Sequence, residues 1–156
     1  MENGTKQNEI YKIAEVEISY RTKVKPSERP RVGDSKDAYQ MFLQQWDVNK
    51  IELLEQFYVM YLNRTNKVIT IYELASGGID GVVADPRLIF SIGLKIAACS
   101  IMLAHNHPSG NLKPSKADED LTQKIKQAGK FLDIKLLDHL ILTEERYFSF
   151  ADEGLI

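Results

Sequence analysis

The chain has 156 residues, 44% of them hydrophobic and 27% charged, which is enough for one globular domain around a single core and too little for a second. Its formal charge of −2 supplies no overall basic field of the kind that draws proteins onto nucleic acid, so DNA binding has to be argued from local features. The single cysteine, Cys99, excludes an intramolecular disulfide and any cysteine-rich zinc finger; set between two apolar stretches, it is expected in the core.

The polar start lacks the charged and apolar regions of a signal peptide, and no apolar run reaches the roughly 20 residues of a membrane helix, so a soluble cytoplasmic protein is expected. Residues 1–34 read as an N-terminal strand and loop, partly flexible: a frayed polar start, a strand over 10–19 in which Ile13, Val16 and Ile18 alternate, and a loop over 25–33 marked by Pro26, Pro30 and Gly33. Residues 35–156 read as the folded domain. Ser35 is expected to cap a helix running to Trp46, with Ala38, Met41, Phe42 and Trp46 on one side. Residues 57–62 and 67–75 are rich in aromatic and branched side chains and flank Asn63-Arg64-Thr65-Asn66, the pattern of a hairpin. Asp85-Pro86 supplies an N-cap and the residue best suited to the first helical position, opening a helix expected to end near Ala98. A short apolar run over 101–104 then empties into the polar segment 105–111. A further helix starts at Ser115, with Ala117, Leu121, Ile125, Ala128 and Leu132 as its apolar stripe, and residues 135–143 and 147–150 supply the last strands. Mixed strands and helices in this order predict an α/β (α+β) fold, a central mixed sheet with flanking helices.

The residues that carry chemistry sit between the apolar run and the last long helix. His105 and His107 are separated by one residue, and side chains in extended backbone repeat with period two, so both imidazoles point the same way and can reach one ion. Asp118 lies in the first turn of the following helix, and a loop containing Pro108, Gly110 and Pro114 can fold that turn back towards the histidines. A His₂Asp set leaves a fourth tetrahedral position open for water, as in catalytic zinc sites, and imidazole with carboxylate suits zinc better than iron or manganese. Each half has a plainer explanation. His-x-His alone is common, and Ser115 followed three residues later by Asp118 is also a helix cap worth about 1 kcal/mol. Capping does not explain why two histidines precede it, and the combination favours a metal.

Residues 105–118, His-x-His, seven residues, Ser, two residues, Asp, resemble the signature of the JAMM (JAB/MPN) metalloprotein superfamily. His-Asn-His-Pro-Ser-Gly, Pro114-Ser115 and the later Leu137-Asp138-His139 look like its RadC branch, and the resemblance runs from about Tyr39 to Phe150. It implies a JAB/MPN domain with a cytidine-deaminase-like fold and one zinc ion (Zn2+) on His105, His107 and Asp118. It further implies an upstream glutamate that moves protons, placed just before a core strand. Glu55, ahead of Gln56-Phe57-Tyr58-Val59, matches that position, with Glu52 as the alternative. Ser115 is then expected to donate a hydrogen bond to the developing oxyanion while also capping its helix. His139, alone within an apolar strand, reads as a hydrogen-bonded core residue or a support for a ligand, and Asn106, Ser109 and Gly110 as shaping the loop.

The function implied is metal-dependent hydrolysis of an amide, a peptide or isopeptide bond in an unknown peptide or protein substrate. A DNA-repair-associated accessory protein without hydrolytic activity is the alternative, since RadC-like proteins are named for DNA repair. The family's N-terminal helix-hairpin-helix segment does not fit in this length, which counts against it. A nucleobase deaminase fails because its zinc site needs a Pro-Cys-x-x-Cys segment. The basic residues Lys113, Lys116, Lys124, Lys126 and Lys130, interleaved with Glu119 and Asp120, read as a solvated helix face.

Overall fold

A computed structural model describes residues 14–78 and 82–156. Its elements follow in the order α1 (Ser35–Gln45), β1 (Gln56–Leu62), β2 (Val68–Ser76), α2 (Pro86–Lys95), β3 (Ser100–Asn106), α3 (Lys116–Phe131), β4 (Lys135–Leu142) and β5 (Tyr147–Ser149), with a 3-10 turn at Pro26–Glu28. The strands form one mixed sheet in the order β2-β1-β3-β4-β5. β1 runs antiparallel to both β2 and β3, β3 is parallel to β4 across α3, and β5 returns antiparallel on β4.

The sheet is covered on both faces, which is why β1 and β3 are buried at every position. Tyr58, Met60 and Leu62 of β1, with Met102 and Ala104 of β3, pack on Ala38 and Phe42 of α1 and on Trp46 just after it. The alternate residues Phe57, Val59, Tyr61, Ile101 and Leu103 pack on Ile89 and Phe90 of α2 and Ile125 of α3. Period-two alternation thus divides one strand between two cores.

Several sequence expectations shift. Residues 14–19 form no strand, and Val16 and Ile18 are exposed; the rest of the expected strand lies outside the described residues, as does the polar start. The 25–33 loop holds the 3-10 turn and one bridge, Arg31 to Lys67. Asp34, not Ser35, caps α1, because its carboxylate accepts from the Asp37 N–H at 2.8 Å while Ser35 turns to Tyr147 and Asp152. α2 stops at Lys95, since Ala97 takes a left-handed φ of 54°. Cys99 is exposed rather than in the core, just before the strand dives inward at Ser100. On α3 the expected Leu121, Ile125 and Ala128 pack into the core, joined by the buried Thr122 and Gly129, whereas Ala117 and Leu132 face outward.

Gly129 permits the close approach of α3 to β4. A Cβ there would lie 2.2 Å from the Ile134 carbonyl oxygen, so only glycine lets the end of the helix approach the start of β4 so closely. The inward row Asp118, Thr122, Ile125, Gly129 advances by four, three and four residues and is polar at one end and apolar at the other.

At the far end of β3, Asn106 is fully buried and holds the segment between α1 and β1. Its Nδ2 donates to the Ile51 carbonyl at 2.6 Å and the Leu54 carbonyl at 2.9 Å, and its Oδ1 accepts from the Gln56 N–H at 2.8 Å. Two of those backbone groups belong to the residues on either side of Glu55, so the strand carrying the histidines also fixes the glutamate's backbone.

Gly129→Ala is expected to destabilise the chain by about 1–3 kcal/mol, through overpacking against backbone that cannot move aside. Asn106→Ala is expected to cost at least about 2 kcal/mol, because it orphans up to three buried backbone groups. Urea unfolding midpoints test both; a change within the roughly 0.5 kcal/mol of an ordinary surface substitution would contradict the close approach or the latch.

Candidate metal centre

β3 delivers His105 inward, 1% exposed, beside Phe57 of the neighbouring strand; the two rings stack with centroids 6.0 Å apart. The chain leaves the sheet after Asn106, and His107 opens a tight turn in which the Gly110 N–H donates to the His107 carbonyl at 2.8 Å. Gly110 takes a φ of +76°, a conformation that suits glycine. The turn brings the Asn111 carbonyl to 2.7 Å from His107 Nδ1. A carbonyl can only accept, so Nδ1 carries hydrogen and, in the neutral ring, Nε2 presents its lone pair. The chain then reaches Ser115, and α3 begins.

Ser115 and Asp118 form a reciprocal capping box: the Asp118 N–H donates to Ser115 Oγ at 3.1 Å, and the Ser115 N–H donates to Asp118 Oδ2 at 2.7 Å. The box aims the carboxylate at the histidines. His105 Nε2 is 3.3 Å from Asp118 Oδ1, His107 Nε2 is 3.3 Å from Oδ2, and the two Nε2 atoms are 3.0 Å apart. Ligand atoms of Glu55, His105, His107 and Asp118 all lie within 4.8 Å of one another. A tetrahedral ion with bonds of about 2.0–2.1 Å spaces its donors by about 3.3–3.4 Å, so this triangle is of a size that can hold a metal ion.

Electrostatics follow from that crowding. Burial alone would push the Asp118 carboxyl up, but hydrogen bonds from the His105 and His107 rings outweigh it and hold Asp118 well below the usual carboxylate range. The same Asp118 contact raises the affinity of His107 for a proton, against its burial. Glu55 moves the other way. Its half-buried carboxyl is pushed up by desolvation, although the neighbouring histidines pull it down.

Glu55 joins the cluster, whereas Glu52, three residues earlier in a turn, is exposed. Ser115 uses Oγ as an acceptor in the cap, which leaves its hydroxyl hydrogen free to donate. His139 on β4 is fully buried behind His105, with Nε2 2.8 Å from His105 Nδ1, and burial holds its ring well below the usual histidine range. Asn106, read from the sequence as shaping its loop, instead latches the Glu55 segment, as described above. Thr122 escaped sequence reasoning; it contacts His139 Nδ1 at 2.7 Å, and its signal was its place one turn after Asp118 on the same stripe. A cavity of about 80 Å³ borders His107, lined by Ile51, Glu52, Pro108, Gly110 and Glu144 among others. The larger groove, about 820 Å³ between α3 and β4, shares no residue with the cluster. No helix among the described residues is long and apolar enough to cross a membrane.

Comparison with known proteins agrees with this geometry. The family described as RadC-like JAB domain matches residues 32–155. A UPF0758 protein of Flavobacterium johnsoniae is 54% identical over 101 residues, covering 65% of this chain and 44% of that protein. A UPF0758 protein of Porphyromonas gingivalis is 45% identical over 103 residues, covering 65% of this chain and 45% of its own length. One from Aquifex aeolicus is 36% identical over 141 residues, covering 90% of this chain and 59% of that protein. The chain thus spans about half the length of these curated relatives. With the family's match extending from Val32 to Leu155 over the whole sheet and the His/Asp/Glu cluster, the chain belongs to the RadC-like JAB domain family.

Proposed function

We propose that this domain is a zinc-dependent metallohydrolase that cleaves an amide bond, in a peptide or an isopeptide linkage. The observation that carries the reading is the convergence of two imidazole nitrogens and a carboxylate at tetrahedral spacing, with a second, less acidic carboxyl beside them. Imidazole and carboxylate donors suit zinc, and three protein ligands leave a position open, as catalytic rather than structural sites do. Bound there, the ion supplies Lewis acidity and brings the pKa of water in its open position towards 7.

The protein's own groups take the remaining roles. Asp118 stays ionised at neutral pH and offers its charge to the cation. Glu55, whose carboxyl burial holds above its ordinary range, accepts a proton from the attacking water and returns it to the leaving nitrogen. Ser115 donates its free hydroxyl hydrogen to the carbonyl oxygen as negative charge develops there.

Purified protein is expected to carry about one zinc per chain, and His107→Ala to lose it, since one of three protein ligands is gone. Glu55→Gln is expected to keep the metal while losing at least about 100-fold of cleavage against a peptide library. Elemental analysis beside the cleavage assay reads both. Full metal retention in His107→Ala would sink the ligand set, and undiminished cleavage by Glu55→Gln would remove the base. Salt-sensitive DNA binding with no cleavage would instead favour an accessory role.

A further inference from the structure

We infer that Thr122 and His139 are positioning residues that fix the proton on His105 Nδ1 and so keep its Nε2 lone pair turned towards the metal position. The inference rests on the metal reading above for its purpose, but its hydrogen-bond logic stands on the buried chain alone.

The direction of every bond in that chain follows from one anchor. Thr122 Oγ1 lies 2.6 Å from the Asp118 backbone carbonyl, which can only accept, so the threonine hydrogen is committed there. At the same oxygen, 2.7 Å away, stands His139 Nδ1. With its hydrogen already used, Thr122 can only accept from that nitrogen, which makes His139 the Nδ1–H form. A neutral ring protonated at Nδ1 is bare at Nε2, and His139 Nε2 faces His105 Nδ1 at 2.8 Å. His105 must therefore donate from Nδ1, and in its neutral ring Nε2 then presents a lone pair, 3.0 Å from His107 Nε2 and 3.3 Å from Asp118 Oδ1.

Burial makes the chain obligatory. His139 and Thr122 are both 0% exposed, and Phe150 stacks on His139 at 4.8 Å while Phe57 meets it edge-on at 5.6 Å, so solvent does not compete for either ring nitrogen. The chain starts at the backbone of Asp118, passes through β4 and ends on β3. It thereby ties two members of the cluster from different elements to one set of proton positions. Reversing any link would place a hydrogen on His105 Nε2, where a cation has to sit. His107 is held in the same form separately, by the Asn111 carbonyl.

Two measurements on the full chain test this. Long-range proton–nitrogen correlation spectra of the metal-free wild type show which ring nitrogen carries hydrogen; His139 is expected as the Nδ1–H form, and an Nε2–H form would overturn the inference whether or not the protein binds zinc. Competition with a chromophoric chelator then gives zinc affinity. Thr122→Val keeps the shape and removes the anchor, and is expected to weaken zinc binding about 10–100-fold, whereas Thr122→Ser restores it. Wild-type affinity in a folded Thr122→Val protein would contradict the positioning role. A Thr122→Val protein that does not fold leaves the wild-type spectrum as the deciding result. Failure of the wild type to bind any metal would count against the proposed hydrolase and not against the proton assignment.

Discussion

Two imidazole nitrogens and two carboxylates converge within 4.8 Å at one end of the sheet, and such a concentration of electron pairs is favourable only when something positive lies among them. In the metal-free chain protons serve, which is why Asp118 is held strongly acidic while His107 gains affinity for hydrogen. A divalent cation can replace those protons, so metal and protons compete for the same pairs. The surrounding structure keeps the groups from turning away. Strand β3, the capping box of α3, the Asn106 latch and the Thr122–His139 chain each remove one way in which the cluster could relax.

Those restraints use backbone groups more than side chains. The Asp118 carboxylate is steered by the Ser115 N–H, His107 by the Asn111 carbonyl, and the Glu55 segment by three bonds from Asn106. Backbone positions are set by the sheet and helices, so the rigidity of the whole core is transmitted to the cluster. Gly129, 11 residues further along α3 than Asp118, lets the end of the helix lie close against the start of β4.

Much of this was legible in the sequence, for identifiable reasons. β1 and β2 announced themselves through aromatic and branched residues around an asparagine-rich turn, and α2 through Asp85-Pro86, because those signals are local. The spacing of His105, His107, Ser115 and Asp118 was readable because the cluster is carried by one strand, one loop and one helix start. Capping and ligation, which compete as explanations of Asp118 on paper, coexist in space: the cap orients the carboxylate that faces the histidines. What the sequence could not display depends on contacts between distant elements. The stripe of α3 was legible at Leu121, Ile125 and Ala128 but not at its ends, where Ala117 and Leu132 look apolar yet face outward, nor at Thr122, which looks polar yet is buried. Cys99 looked like core from its neighbours, yet it falls just before the chain turns into β3. Alternation at Val16 and Ile18 led to no strand, since residues 14–19 lie outside the five-stranded sheet.

The most direct measurement is a crystal structure of the zinc-loaded protein with anomalous data collected at the zinc absorption edge. One ion is predicted, about 2.0–2.2 Å from His105 Nε2, His107 Nε2 and an Asp118 carboxylate oxygen. A zinc ion bound by other residues, or an anomalous map with no peak among these three side chains, would contradict the metal centre.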